Sequence, residues 1–151
     1  MATPVADRAV LDTNVLLAAT DQARLEHEHA TAALNAWPAL GMVLYTSGQI
    51  LREYLVVATR PLDSNGLGLT QLDAVANVRA LRARLSLLAE DAKVGERLLE
   101  LLDGVECTGK QVHDANVVAT MLVHGIDTVV TLNTRDFVRF GQHVHVVALL
   151  P

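Results

Sequence analysis

Asp12, Glu53, Asp114 and Asp136 stand out among the 17 acidic residues because each falls where an apolar segment ends or a helical one runs. Asp12 follows the strand-like RAVL and opens TNVLLAA, Asp114 opens ANVVATMLV, and Asp136 follows VVTLNTR at the start of the short helical turn FVRF. Aspartate at such a junction is a preferred helix N-cap, favoured by the helix dipole by about 0.3–1 kcal/mol, so each of the three alone reads first as a cap. Glu53 is different, since it lies inside SGQILREYLVVATR and, at about 100° per residue, shares a stripe with Gln49, Ile50, Val57 and Arg60. A glutamate with apolar face-mates either pairs with Arg52 or Arg60 at the border of the stripe or faces a site.

Gathered in one place, these carboxylates would repel one another, and their pKa values would rise unless a cation stood among them. Hard oxygen donors without clustered Cys or His favour Mg²⁺ or Mn²⁺ over zinc, and Mg²⁺ commonly leaves positions for water and phosphate oxygens. The expected chemistry is phosphoester cleavage by a metal-activated water, with one or two ions held by Asp12, Asp114 and Asp136, and by Glu53 directly or through water. The histidines offer no rival centre. His27 and His29 point in different directions on a helix, and His143 and His145 share a strand face without a third ligand nearby.

Elements must bring these distant positions together. Apolar runs alternate with segments of helical period, the pattern of repeated β-α units and a mainly parallel sheet, hence an α/β fold. Strands are expected near 8–12, 42–46, 85–89, 127–132 and 143–148, and helices near 13–20, 27–37, 48–59, 70–83, 91–103 and 114–124. PLDSNGLGLT at 61–70 reads as a surface loop, and GVECTGKQV at 104–112 as an irregular segment before a helix starting at His113 or Asp114. In doubly wound sheets ligands bind beyond the carboxyl ends of the strands, where Asp12, Asp114 and Asp136 all fall.

Length and composition set limits. The 151 residues suit a single domain over 1–151 with one core, and 51% hydrophobic with 19% charged residues excludes a disordered chain. Aromatics are only 3%, which argues against stacking of single-stranded bases and for a core of Leu, Val, Ile and Ala. A net charge of -5 argues against a broad positive field for nucleic acid, so any such contact must be local or metal-mediated. Cys107 is the single cysteine, which rules out an internal disulfide or a Cys-based zinc site and fits a reducing cytoplasm. MATPVADRAV lacks the pattern of a secretory signal, and no apolar stretch approaches the roughly 20 residues needed to span a bilayer, so a soluble, cytoplasmic protein is expected.

VLDTNVLL at 10–17, TSGQILREYLVVATRP at 46–61, GKQVHDANVVATMLVHGIDTVVTLNTRDF at 109–137 and HVHVV at 143–147 resemble, in order, the segments of PIN-domain ribonucleases, most closely the VapC-type toxins of bacterial toxin–antitoxin pairs. The resemblance implies a PIN-like three-layer sandwich, with Asp12, Glu53 and Asp114 as the core acids. The fourth place falls in different relatives at the position of Asn133 or of Asp136, and here only Asp136 carries charge. It further implies that Thr13 and Asn14 shape the first loop, that Ser47 caps the Glu53 helix, and that Thr131 orients an acid by hydrogen bonding. It also implies RNA as substrate, 5′-phosphate and 3′-hydroxyl products, a small antitoxin laid over the acidic site, and a homodimer.

Arg52, Arg60, Lys110, Arg135 and Arg139 lie near the motifs and are candidates for RNA phosphates, Arg135 being the best placed in sequence; solvation alone is the simpler fate of each. His113 reads as a capping or packing residue. Two other functions remain open. An aspartyl-phosphate phosphatase of the haloacid dehalogenase type also puts an acid after the first strand, but its second acid would stand at Asn14. A PIN-like module that binds RNA or protein without chemistry is the other.

Overall fold

A computed structural model describes residues 6–150. Its sheet has five strands, β1 (Arg8–Leu11), β2 (Val43–Ser47), β3 (Ser86–Leu88), β4 (Thr128–Thr131) and β5 (His145–Ala148), in the order β3-β2-β1-β4-β5, with every pairing parallel. Ala9, Val10 and Leu11 are at most 1% exposed, as expected of a central strand covered on both faces, which therefore shows no polar alternation. Six helices connect and cover the strands: α1 (Thr13–Thr20), α2 (His27–Ala39), α3 (Gly48–Thr59), α4 (Gln71–Arg82), α5 (Ala92–Gly104) and α6 (Gln111–Val123). The result is the three-layer α/β sandwich that the sequence implied.

The strand order has one consequence for function. From β1 the chain moves outward to β2 and β3, then returns to place β4 on the other side of β1, so the direction of winding reverses between β1 and β4. Crevices for ligands open at such a reversal, beyond the carboxyl ends of the strands. The two strand ends are joined there, for the Asp12 N–H still donates to the Val130 carbonyl (2.9 Å) after β1 has ended.

Element types follow the expectation, and the differences lie at ends. Helix α6 begins at Gln111, not at His113 or Asp114, because the Gln111, Val112 and His113 N–H groups already donate to the carbonyls of Thr108, Gly109 and Lys110. Gly109 enters this turn at φ +58°, a conformation glycine adopts without strain. Asp114 therefore sits within the first turn of α6 and does not open it. Helix α2 runs through Pro38 to Ala39, where the sequence placed its end at residue 37; the ring removes one N–H, and the Leu40 N–H still closes on Ala36 and Trp37. Asp136 closes a short 3₁₀ turn, Thr134–Asp136, and precedes a second one, Val138–Phe140, where the sequence had it starting one.

The core is aliphatic except at four places. Trp37, Tyr54, Phe137 and Phe140 are buried, the two Phe rings tilted against each other at 6.4 Å. Phe137 follows Asp136 directly, so its burial fixes the turn that carries that acid. The 61–70 segment is a loop, and it folds back so that the Leu67 and Leu69 N–H groups donate to Val57 and Ala58 at the end of α3.

Candidate active site

Asp12 stands at the end of β1 and caps α1, its Oδ1 accepting the Thr13 N–H (2.8 Å). Its Oδ2 accepts the Thr131 hydroxyl from the end of β4 (2.8 Å). That hydroxyl also accepts the Asn14 side-chain amide (3.1 Å) and the Asn133 backbone N–H (3.0 Å), so its one donor and two acceptor positions are all used. Asn14 completes the seam, its Oδ1 accepting the Leu132 N–H (3.1 Å). Asn14 and Thr131 thus weld β1 to β4 at the winding reversal, and Asp12, bonded to Thr131 and to the Thr13 N–H, is left at 9% exposure.

Asn14 is committed to β4 and cannot serve as a proton donor two residues after Asp12. That removes the general acid which the phosphatase reading would require.

Ser47, at the end of β2, caps α3 through Ile50 N–H (3.3 Å). Ile50, Leu51, Tyr54 and Ala58 bury one face of the helix, and this turns Gln49 and Glu53 toward α1 and α6. Glu53 accepts the Thr13 hydroxyl on Oε2 and the Gln49 side-chain amide on Oε1, both at 2.9 Å. Among the described residues it forms no ion pair, so the pairing with Arg52 or Arg60 is not realised.

Glu53, Asp114 and Asp136 line one cleft of about 660 Å³ together with Thr13, Gln49, Arg52, Val56, Val57, Arg60, Lys110, Gln111 and His113. The electrostatics agree with the geometry. Burial, opposed by the hydrogen bonds from Thr131 and Thr13 and reinforced by the Glu53 and Asp136 charges, pushes Asp12 up to about 6. Asp114 is pushed up to about 7 by burial and by Asp136, Asp12 and Glu53, with Arg139 opposing. Four carboxylates from four segments feel one another's charge.

Among the described residues the side chains of Asp114 and Asp136 accept no hydrogen bond from the protein, so their lone pairs are open to the cleft. Among the described residues no three acidic, histidine or cysteine side chains are grouped closely enough to hold a metal ion by themselves, so any cation here would complete its shell with water or substrate oxygens. An open, oxygen-only donor set with unspent negative charge fits a hydrated hard cation, which takes few direct protein ligands. Zinc sites draw mainly on cysteine and histidine, and the four acids supply neither.

The remaining sequence candidates divide. Arg52, Arg60 and Lys110 line the cleft; Arg139 donates to the Glu106 carbonyl (3.1 Å). Arg135 and Asn133 are exposed and outside the cleft lining, so Asp136 is the fourth carboxylate near the others. His113 contributes through its backbone, its carbonyl accepting the Gln49 amide (2.8 Å). Three residues escaped the sequence reading as parts of the site: Gln49, Asn116 and Glu90. Gln49 carried a signal, since it stands one turn before Glu53 on the same face. Asn116 and Glu90 carried none, because their partners are remote in sequence.

Residues 9–142 match the PIN domain family. The chain belongs to that family. No curated protein matches it significantly. Among solved structures, this PIN domain is similar to VapBC-1 from nontypeable Haemophilus influenzae at 14% identity and TM-score 0.68, with 95% of this chain and 99% of that one covered. It is also similar to VapBC2 from Rickettsia felis bound to a DNA fragment from their promoter, at 16% identity and TM-score 0.66, covering 93% and 98%. A third is Mycobacterium tuberculosis VapC20, a Sarcin-Ricin loop cleaving toxin, at 22% identity and TM-score 0.59, covering 80% and 86%. These likenesses establish that the PIN domain has the fold of those proteins. None of its described helices is long and apolar enough to cross a membrane.

Proposed function

We propose that this PIN domain is a divalent-metal-dependent endoribonuclease and the toxin of a type II toxin–antitoxin pair, acting as a single domain in the cytoplasm. The observation that carries the reading is the convergence of Asp12, Glu53, Asp114 and Asp136 at the β1/β4 reversal, the last three lining a cleft that Arg52, Arg60 and Lys110 also line. Similarity to a toxin described as cleaving the sarcin-ricin loop supports RNA as the substrate. Similarity to VapBC assemblies supports an antitoxin partner; that this partner covers the cleft and that the toxin forms a homodimer extend the reading beyond those likenesses.

Asp12, Asp114 and Asp136 would hold Mg²⁺ or Mn²⁺, with Glu53 reaching it directly or through water. When bound, the cation supplies Lewis acidity toward a phosphate oxygen and a water nucleophile at neutral pH. The protein supplies position. Thr131 and the Thr13 N–H fix both oxygens of Asp12, Thr13 and Gln49 fix both oxygens of Glu53, and Arg52, Arg60 and Lys110 along the cleft would receive phosphates flanking the scissile one.

Cleavage of a broad RNA panel tests the reading. Wild type should cleave with Mg²⁺ or Mn²⁺ and stop in EDTA. Asp12→Asn and Asp114→Asn should each lose more than the roughly 10–100-fold typical of removing an outer-shell partner. Full activity in both variants, or in EDTA, would remove the metal-dependent mechanism; metal binding without cleavage of any RNA would favour a binding module.

A further inference from the structure

We infer that Gln49 is a positioning residue that sets the separation of Glu53 from Asp114 and thereby tunes the affinity of the site for its divalent cation; the inference rests on the metal-dependent reading above. The residue is 5% exposed, and three of the four hydrogen-bonding positions of its amide are occupied. Nε2 donates to Glu53 Oε1 (2.9 Å) on α3 and to the His113 carbonyl (2.8 Å) on α6, and Oε1 accepts the Asn116 amide (2.6 Å). His113 immediately precedes Asp114. One planar group therefore spans the gap between the two acid-bearing helices and fixes it from both sides.

The direction of this chain of amides is set at its ends. Asn116 Nδ2 also donates to Glu90 Oε2 (3.3 Å), so turning Asn116 over would set its oxygen against a carboxylate. Turning Gln49 over would set its oxygen against Glu53 and the His113 carbonyl at once. Glu90 Oε1 meanwhile accepts the Gln49 backbone N–H (2.8 Å), so the side chain is held at its root as well as its tip. The carboxylates at the two ends, Glu90 and Glu53, leave a single arrangement of donors. A residue needed only to fill space or cap α3 would not require both N–H groups of the amide to bridge two acid-bearing helices.

Gln49→Met keeps length and volume while removing all three side-chain hydrogen bonds, and Asn116→Leu keeps the two Gln49 donations and removes only the bond to its Oε1. The probe is Mn²⁺ alone, titrated calorimetrically into the full-length protein, alongside RNA cleavage at rising Mn²⁺. Gln49→Met should raise the Mn²⁺ Kd by about 10–100-fold, and Asn116→Leu by less, as outer-shell partners do. Saturating Mn²⁺ should restore kcat in both variants with an unchanged KM for RNA. If Gln49→Met does not fold, the Asn116→Leu shift alone decides. A variant Kd equal to wild type, in a protein that binds Mn²⁺ and cleaves RNA, would overturn this inference and spare the functional reading. A wild type that neither binds Mn²⁺ nor cleaves RNA would overturn both.

Discussion

Thr131 shows how much one side chain can decide. Its hydroxyl is the meeting point of Asp12, Asn14 and the Asn133 N–H, at no solvent exposure. Thr131→Val keeps the shape and the β-branch but leaves two donors without an acceptor and one carboxylate oxygen without a donor. A buried polar group left unpaired costs about 1–3 kcal/mol, so the variant should lose at least about 2 kcal/mol in a denaturant titration, with cleavage falling because Asp12 is no longer held. Unchanged stability would mean that this junction is not the seam of the fold. The sequence carried Asp12, Asn14 and Thr131 as separate hints, and the resemblance assigned each a role. What joins them is the pairing of β1 with β4, more than 100 residues apart in the chain, which no local pattern encodes.

At the scale of elements, periodicity located all five strands and all six helices, because each is either an apolar run or an amphipathic stripe long enough to be read. The ends were less legible, and for a definite reason. Asp is so favoured as a cap that Asp114 and Asp136 read as helix starts, whereas backbone turns at Thr108–Lys110 and Thr134–Asp136 begin the structure earlier. A residue that resembles a cap but caps nothing retains its charge for other work, and both of these acids face the cleft. Helix α3 is the opposite case. Its N-terminus is held twice, by Ser47 on the Ile50 N–H and by Glu90 on the Gln49 N–H, the latter a charged acceptor aligned with the dipole. Because Glu90 remains, Ser47→Ala should cost only about 1 kcal/mol, a fall of about 2–4 °C in Tm for a chain of this length. A loss several times larger would mean that Ser47 supports the site beyond its capping bond.

The whole molecule stores electrostatic strain in exchange for a site. Its net charge is only -5, yet four carboxylates are brought into one region where burial and mutual repulsion raise Asp12 to about 6 and Asp114 to about 7. In the unfolded chain both return to about the ordinary 3.8. Between about pH 4 and pH 7 the folded, metal-free protein therefore binds more protons than the unfolded one, and stability must fall as pH rises through that window. The groups facing Asp114 are Asp136, Asp12 and Glu53, which disfavour its charge, and Arg139, which opposes them. Asp114 is only half-buried, so solvent screening reduces its share to about 1 kcal/mol. Calorimetry in EDTA should accordingly give a higher Tm at pH 5 than at pH 8, and Asp114→Asn, whose amide carries no charge to repel, should raise the pH 8 value by about 2–4 °C. Millimolar Mg²⁺ at pH 8 should raise the wild-type Tm and leave that of Asp114→Asn nearly unmoved, since a ligand stabilises only the state that binds it. A metal-free wild type more stable at pH 8 than at pH 5, with Asp114→Asn showing the same dependence, would mean that the acids do not strain one another.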